Sequence, residues 1–247
     1  MGRWSRLIAR AFIHWLSPPP ARRWLDLGCG TGALSEAILA YGSPASVIAV
    51  DPSEAFIAFA QHRLVDSRIA FHVGDIFRLS ADAHSVDIAV SGLVLNFIPE
   101  PVAALQAMSR ALQPGGMIAL YVWDYGGKME MLRNFWDSVV ALDPRARALD
   151  EGIRFPICQP VALTQICAEA GLKRIEVEEL EIITTFTDFA DYWSPFLGGQ
   201  GPAPGYVAGL GEAGRAALEK HLRANLPFQQ DGSLNLVARA WAIRAIV

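Results

Sequence analysis

This 247-residue chain has few cysteines, no excess of basic charge and no long apolar run, and each shortage excludes a class of protein. Cys29, Cys158 and Cys167 form no C-x-x-C pair, so they supply neither a disulfide framework nor a zinc site. No metal is expected, and free thiols fit a reducing compartment, the cytoplasm. Lys and Arg number 21 against 25 Asp and Glu, a formal net charge of −4, with a sequence pI of about 5.7. A general nucleic-acid binder needs a basic face to displace counterions, so no nucleic-acid partner is expected. No apolar stretch approaches the roughly 20 residues that span a bilayer, so no membrane partner is expected either. Glycine and proline together stay well under the roughly 25–30% that marks low-complexity disorder. With 52% hydrophobic residues the chain can bury a sizeable core, and its length suits one α/β domain with insertions.

What is present begins with a helix. Trp4, Leu7, Ile8, Ala11, Phe12 and Trp15 recur at helical spacing, while Arg10 and His14 break the uninterrupted run that a secretory leader requires. Pro18, Pro19 and Pro20 end it. Short β-branched or apolar runs then alternate with helices: Trp24 to Leu27, Val47 to Val50, Ile69 to Val73, Val86 to Val90 and Met117 to Val122 as strands. Ala33 to Tyr41, Glu54 to Leu64 and Val102 to Leu112 are the helices between them, and Gln113-Pro114-Gly115-Gly116 stops the last. Alternation of this kind implies parallel βαβ units and a doubly wound sheet, whose ligands bind at the strands' carboxyl ends. Beyond Asp124 the pattern predicts helices over Met129 to Leu142, Pro160 to Ala170 and Glu212 to Asn225, and a last strand over Leu234 to Val247. Residues 186–211 form an insertion with three prolines and six glycines, read as a lid.

The loop Gly28-Cys29-Gly30-Thr31-Gly32 follows a strand and opens a helix. Glycines there let the backbone approach a ligand, and the helix start presents unpaired N–H groups. The stretch also fits the dinucleotide pattern G-x-G-x-x-G/A through Ala33, so a nicotinamide-dependent oxidoreductase stands as an alternative. Asp51 ends the second strand 19 residues beyond Gly32, where a carboxylate accepts hydrogen bonds from two ribose hydroxyls or caps the next helix. Asp75 ends the third strand, placed to accept an adenine amino proton beside the Ile76 amide, or to close an Asx turn.

Taken in order, Trp24 to Gly32, Val50-Asp51-Pro52-Ser53, Gly74-Asp75-Ile76 and Leu112 to Gly116 resemble the successive motifs of class I S-adenosylmethionine-dependent methyltransferases, over roughly Arg3 to Val122. The opening Arg3-Trp4-Ser5-Arg6 is similar to the subset that includes ubiquinone and menaquinone methyltransferases. The resemblance implies a Rossmann-like, mostly parallel seven-stranded sheet with the last strand antiparallel, plus the N-terminal capping helix and the lid insertion. It implies a single domain over 1–247: cap helix 1–17, cofactor-binding half 21–124, substrate-side half 125–231 and last strand 232–247. It also implies S-adenosylmethionine as methyl donor and S-adenosylhomocysteine as product. Gly28 and Gly30 would pack on the methionine part, Asp51 with Pro52 on the ribose, and Asp75 with Ile76 on the adenine. Asp26 would orient the loop or the cofactor's ammonium, Ser91 and Gly92 would lie beside the sulfonium, and Arg6 would reach the cofactor's carboxylate.

The sulfonium is already activated, so alignment and water exclusion are what the protein must add. No catalytic residue is singled out: Asp124, Tyr125 and His14 are candidate bases, each with a structural reading beside it. The DNA N-methylation pattern is absent after the fourth strand, where Ser91 to Asn96 stands. Eleven of the 24 aromatic residues fall in Tyr121 to Trp136 and Phe186 to Tyr206. They either line a pocket for a small, partly apolar or aromatic acceptor or fill the core. Asn96, Trp123, Tyr125, Tyr192 and Trp193 are the candidate acceptor contacts. A monomer or homodimer is expected, and a non-catalytic cofactor-binding relative is the remaining alternative.

Overall fold

The computed structural model describes residues 2–78, 85–198 and 201–247, which form two compact units. The first holds Gly2–Val122, Pro160–Leu180 and Trp241–Val247; the second holds Trp123–Gln159 and Glu181–Ala240.

The first unit alternates strands and helices as the sequence pattern predicts. Its elements are α1 (Gly2–Leu16), β1 (Arg23–Leu27), α2 (Ala33–Tyr41), β2 (Ser46–Asp51), α3 (Glu54–Arg63), β3 (Ile69–Val73), β4 (Val86–Gly92), α4 (Pro101–Ala111) and β5 (Leu112–Trp123). The seven-stranded sheet has the order β3-β2-β1-β4-β5-β7-β6. Here β6 is Lys173–Phe186 and β7 is Leu234–Ile246, with residues 173–180 and 241–246 in this unit. The pairs β3-β2, β2-β1, β1-β4 and β4-β5 are parallel and the last strand is antiparallel. Trp24, Leu25 and Leu27 of β1, and Val86, Ile88, Ala89 and Val90 of β4, are buried, as central parallel strands require. β1 runs between β2 and β4, so strand order reverses there and a crevice opens at the carboxyl ends.

Three expectations shift. The buried face of α1 is Trp4, Ile8, Ala9, Phe12, Ile13 and Leu16, while Leu7 is 43% exposed: the helix is apolar over a wide arc and turns one residue from the expected stripe. Ser91 and Gly92 do not follow β4 but end it, paired with Leu120 and Tyr121. Gln113 to Gly116 is an irregularity within β5, because Val86 pairs with Leu112 while Ile88 pairs with Met117; Gly115, at φ +77°, takes the turn.

The second unit contains α5 (Glu130–Leu142), a 3-10 segment (Pro144–Leu149), α6 (Glu151–Arg154), α8 (Phe189–Trp193), a second 3-10 segment (Ser194–Leu197), α9 (Pro202–Gly209) and α10 (Glu212–Asn225). The intervening α7 (Pro160–Glu169) belongs to the first unit. Residues 186–211 are expected to be a lid whose aromatic residues pack, and Gly199 and Gln200 within it lie outside the described residues. The described part is packed: Phe186, Phe189, Tyr192, Trp193 and Phe196 are all buried, and Phe196 stacks on Phe135 at 4.4 Å. The Tyr192 hydroxyl donates to the Met131 carbonyl at 2.9 Å, and the Asp188 side chain caps α8 by accepting from Asp191 N. Aromatic burial fixes a stretch whose glycines and prolines alone suggest mobility.

Candidate functional site

In the first unit, three strand ends converge. Gly28, Gly30 and Gly32 have φ of +71°, +52° and +83°, a left-handed path that only glycine follows without strain. A Cβ at Gly28 would lie 2.6 Å from Val94 Cγ2, so this position has no room for a side chain. The turn is tied to β2: Gly28 N and Cys29 N donate to the Val50 carbonyl, and Gly30 N donates to Asp51 Oδ2 at 2.9 Å. Asp51 Oδ1 accepts from Ser53 N at 2.9 Å, and Ser53 in turn caps α3. One buried carboxylate therefore holds both the glycine turn and the next helix start.

The crevice holds a cavity of about 210 Å³ lined by Gly28, Pro52, Asp75 and Ile76 together with Phe77, Val94 and Phe97. Four of the expected cofactor residues therefore share one cavity, and Gly30 and Asp51 form its hydrogen-bonded support. Asp75 Oδ1 accepts from Phe77 N at 2.8 Å, closing an Asx turn at the head of the 3-10 segment Ile76–Arg78. The sequence reading missed Val94, Phe77 and Phe97. Their signal in the sequence is that all three follow strand carboxyl ends. Asn96 is not among the cavity's lining residues, and its side-chain nitrogen and oxygen are both buried without a hydrogen-bond partner among the described residues.

Beneath the turn lies Asp26, fully buried on β1. Its Oδ2 accepts from the Ser35 hydroxyl at 2.6 Å, and its Oδ1 has no partner among the described residues. Burial pushes its pKa up to about 7, the Ser35 hydrogen bond opposes the rise, and the Asp51 charge adds to it. Desolvation, with the charges of Asp26 and Asp51 nearby, drives the Cys29 thiol far above its ordinary range, so it is no nucleophile.

Several expected residues are engaged elsewhere. Ser91 Oγ donates to the Leu27 carbonyl at 2.8 Å and so ties β4 to β1. Arg6, 58% exposed, faces Glu36 at 3.6 Å on the helix surface rather than any lining of the cavity. His14 packs edge-on against Tyr41, with ring centroids 5.1 Å apart. In the second unit Asp124 is buried, and its Oδ2 accepts from Lys128 N and from Arg239 Nε and Nη2 at 2.8, 2.9 and 2.7 Å, which makes it a structural anchor. Trp123, Tyr125, Tyr192 and Trp193 are all buried, so the structure makes them interior packing of this unit.

With this geometry in place, comparison with known proteins gives a consistent result. A family model described as "Methyltransferase domain" matches residues 25–120, the span that carries all three converging turns. The chain is 32% identical over 136 residues to trans-aconitate 2-methyltransferase of Variovorax paradoxus, covering 55% of this chain and 51% of that one. It is 28% identical over 160 residues to a ubiquinone biosynthesis O-methyltransferase of Aromatoleum aromaticum, covering 63% and 66%. The chain spans about half to two thirds of the length of these relatives. Among solved structures, a proposed methyltransferase from an antibiotic biosynthesis pathway of Anabaena variabilis superposes with a TM-score of 0.64 over 97% of this chain and 96% of that one, at 19% identity, a likeness of fold alone.

Proposed function

We propose that this chain is a class I S-adenosylmethionine-dependent methyltransferase and that it methylates a small, partly apolar or aromatic acceptor. One observation carries the reading: the carboxyl ends of β1, β2 and β3 meet at a single cavity, with Asp51 clamping the glycine turn to the second strand. A carboxylate has about four acceptor positions, and Asp51 uses two on Gly30 N and Ser53 N. The others are free to take ribose hydroxyls at a fixed orientation. Asp75 and the Ile76 amide sit at the cavity wall where an adenine edge would meet them, and Pro52, Val94, Phe77 and Phe97 supply its apolar faces. Gly28, with no Cβ beneath Val94, lets the backbone approach the methionine part closely. The unpartnered Oδ1 of Asp26 suits an ammonium group, acting directly or through the turn above it.

The bound donor supplies a methyl already activated on sulfur, so the chain's own work is to orient, desolvate and exclude water. Phe77 and Phe97, 45% and 62% exposed at the cavity, present apolar surface to an incoming acceptor. The relatives' names, one for trans-aconitate and one for ubiquinone biosynthesis, support an acceptor of small-molecule size. The test is release of S-adenosylhomocysteine from S-adenosylmethionine across a panel of phenols, quinols and carboxylic acids. Turnover on a member of the panel is expected; binding of the donor with no turnover on any acceptor would overturn the catalytic reading.

A further inference from the structure

The second unit contains a larger cavity, of about 750 Å³, well separated in sequence from the cofactor turns. Such a volume lies within the roughly 300–1,000 Å³ usual for small-molecule sites. One wall is a single face of α5: Arg133, Asp137, Val140 and Ala141 stand at i, i+4, i+7 and i+8. The opposite face of that helix, with Met131, Phe135, Trp136 and Val139, is buried in the unit's core, so the cavity face is what the helix leaves open. The other wall is the stretch from Arg147 to Ile153.

The cavity's charges are not all matched. Arg133 Nη2 donates to Asp150 Oδ2 at 2.5 Å and Nη1 donates to the Tyr125 carbonyl at 3.1 Å, which fixes that guanidinium. Asp150 is further committed, accepting from Gly152 N at 2.8 Å. Asp137, whose side chain is 79% exposed, lies 4.0 Å from Arg133. Arg147 is exposed on the 3-10 segment and has no ion-pair partner among the described residues. Its floor is also built for close approach. A Cβ at Gly152 would fall 2.6 Å from Arg133 Nη1 and 2.9 Å from Gly126 Cα, so glycine is required where this wall meets the loop of Gly126.

We propose that this cavity is a second ligand site, taking a compact organic acid whose carboxylate pairs with Arg147 while its apolar body lies on Val140, Ala141 and Ile153. A planar guanidinium without a protein partner matches a carboxylate through two parallel hydrogen bonds. The neighbouring Arg133 is already paired with Asp150, so Arg147 is the guanidinium of this lining left for a ligand carboxylate.

Benzoate is the probe, with benzamide as its uncharged isostere, each titrated by calorimetry into the 247-residue chain. Saturable benzoate binding is expected, weaker at high salt, with benzamide at least about tenfold weaker. Arg147→Gln, at an exposed position with no partner to orphan, should fold normally and lose about tenfold in benzoate affinity. Its affinity for S-adenosylhomocysteine should stay unchanged, which separates this proposal from the methyltransferase reading. Absence of benzoate binding, equal binding of benzamide, or full benzoate affinity in Arg147→Gln would each overturn the site.

Discussion

Asp26 makes the pH dependence of stability a test of the buried site. In the folded chain its carboxyl titrates at about 7 against an ordinary value of 3.8, chiefly because burial penalises its charged form. Between those values the folded state holds a proton that the unfolded state has released, so stability falls as pH rises. The contribution is complete below the unfolded pKa, declines at about 1.4 kcal/mol per pH unit and levels off above about 7. From pH 5 to pH 8 the loss from this one group is therefore about 2–3 kcal/mol. Asp26→Asn keeps an oxygen to accept from Ser35 and removes the titration. Urea unfolding of both proteins at pH 5, 6, 7 and 8 gives the difference directly, since other groups cancel between them. The variant should gain on the wild type by that amount as pH rises. Parallel pH profiles would show that the buried carboxyl is ionised throughout, and the reasoning from burial would fail.

Other consequences follow from single contacts. Asp51→Ala removes the acceptor for Gly30 N and Ser53 N and should weaken donor binding by at least about 1.5 kcal/mol, measured by calorimetry; unchanged affinity would remove Asp51 from the site. Gly28→Ala places a Cβ in the left-handed region against Val94, and should cost about 1–2 kcal/mol of stability from the backbone alone together with a clear loss of donor affinity. Phe196→Ala, emptying a fully enclosed position stacked on Phe135, should destabilise the second unit by about 3–5 kcal/mol in urea unfolding while donor affinity holds. A loss below about 1 kcal/mol there would mean the insertion is not packed as described.

Local signals made much of the first unit legible. The β-branched run of β2 ends at Asp51-Pro52, and α3 starts at the next capping residue, Ser53, so the boundary is written in adjacent residues. The glycine turn is legible for the same reason: three left-handed positions within five residues have few sequence solutions. Pairings across long separations are not legible in this way. Asp124 looked like a free carboxylate at a strand end because Arg239, 115 residues away, carries no local sign of being its partner. Tyr192 likewise meets Met131 across 61 residues, a partner that no local pattern announces. The cavity's apolar lining was overlooked because Val94 and Phe97 read as ordinary hydrophobic residues until the fold set them over Gly28.

Calorimetric titration of the purified chain with S-adenosylhomocysteine tests the central claim most directly. One saturable site per chain is the predicted result, with affinity reduced by Asp51→Ala. A folded chain that takes up no measurable S-adenosylhomocysteine would contradict it.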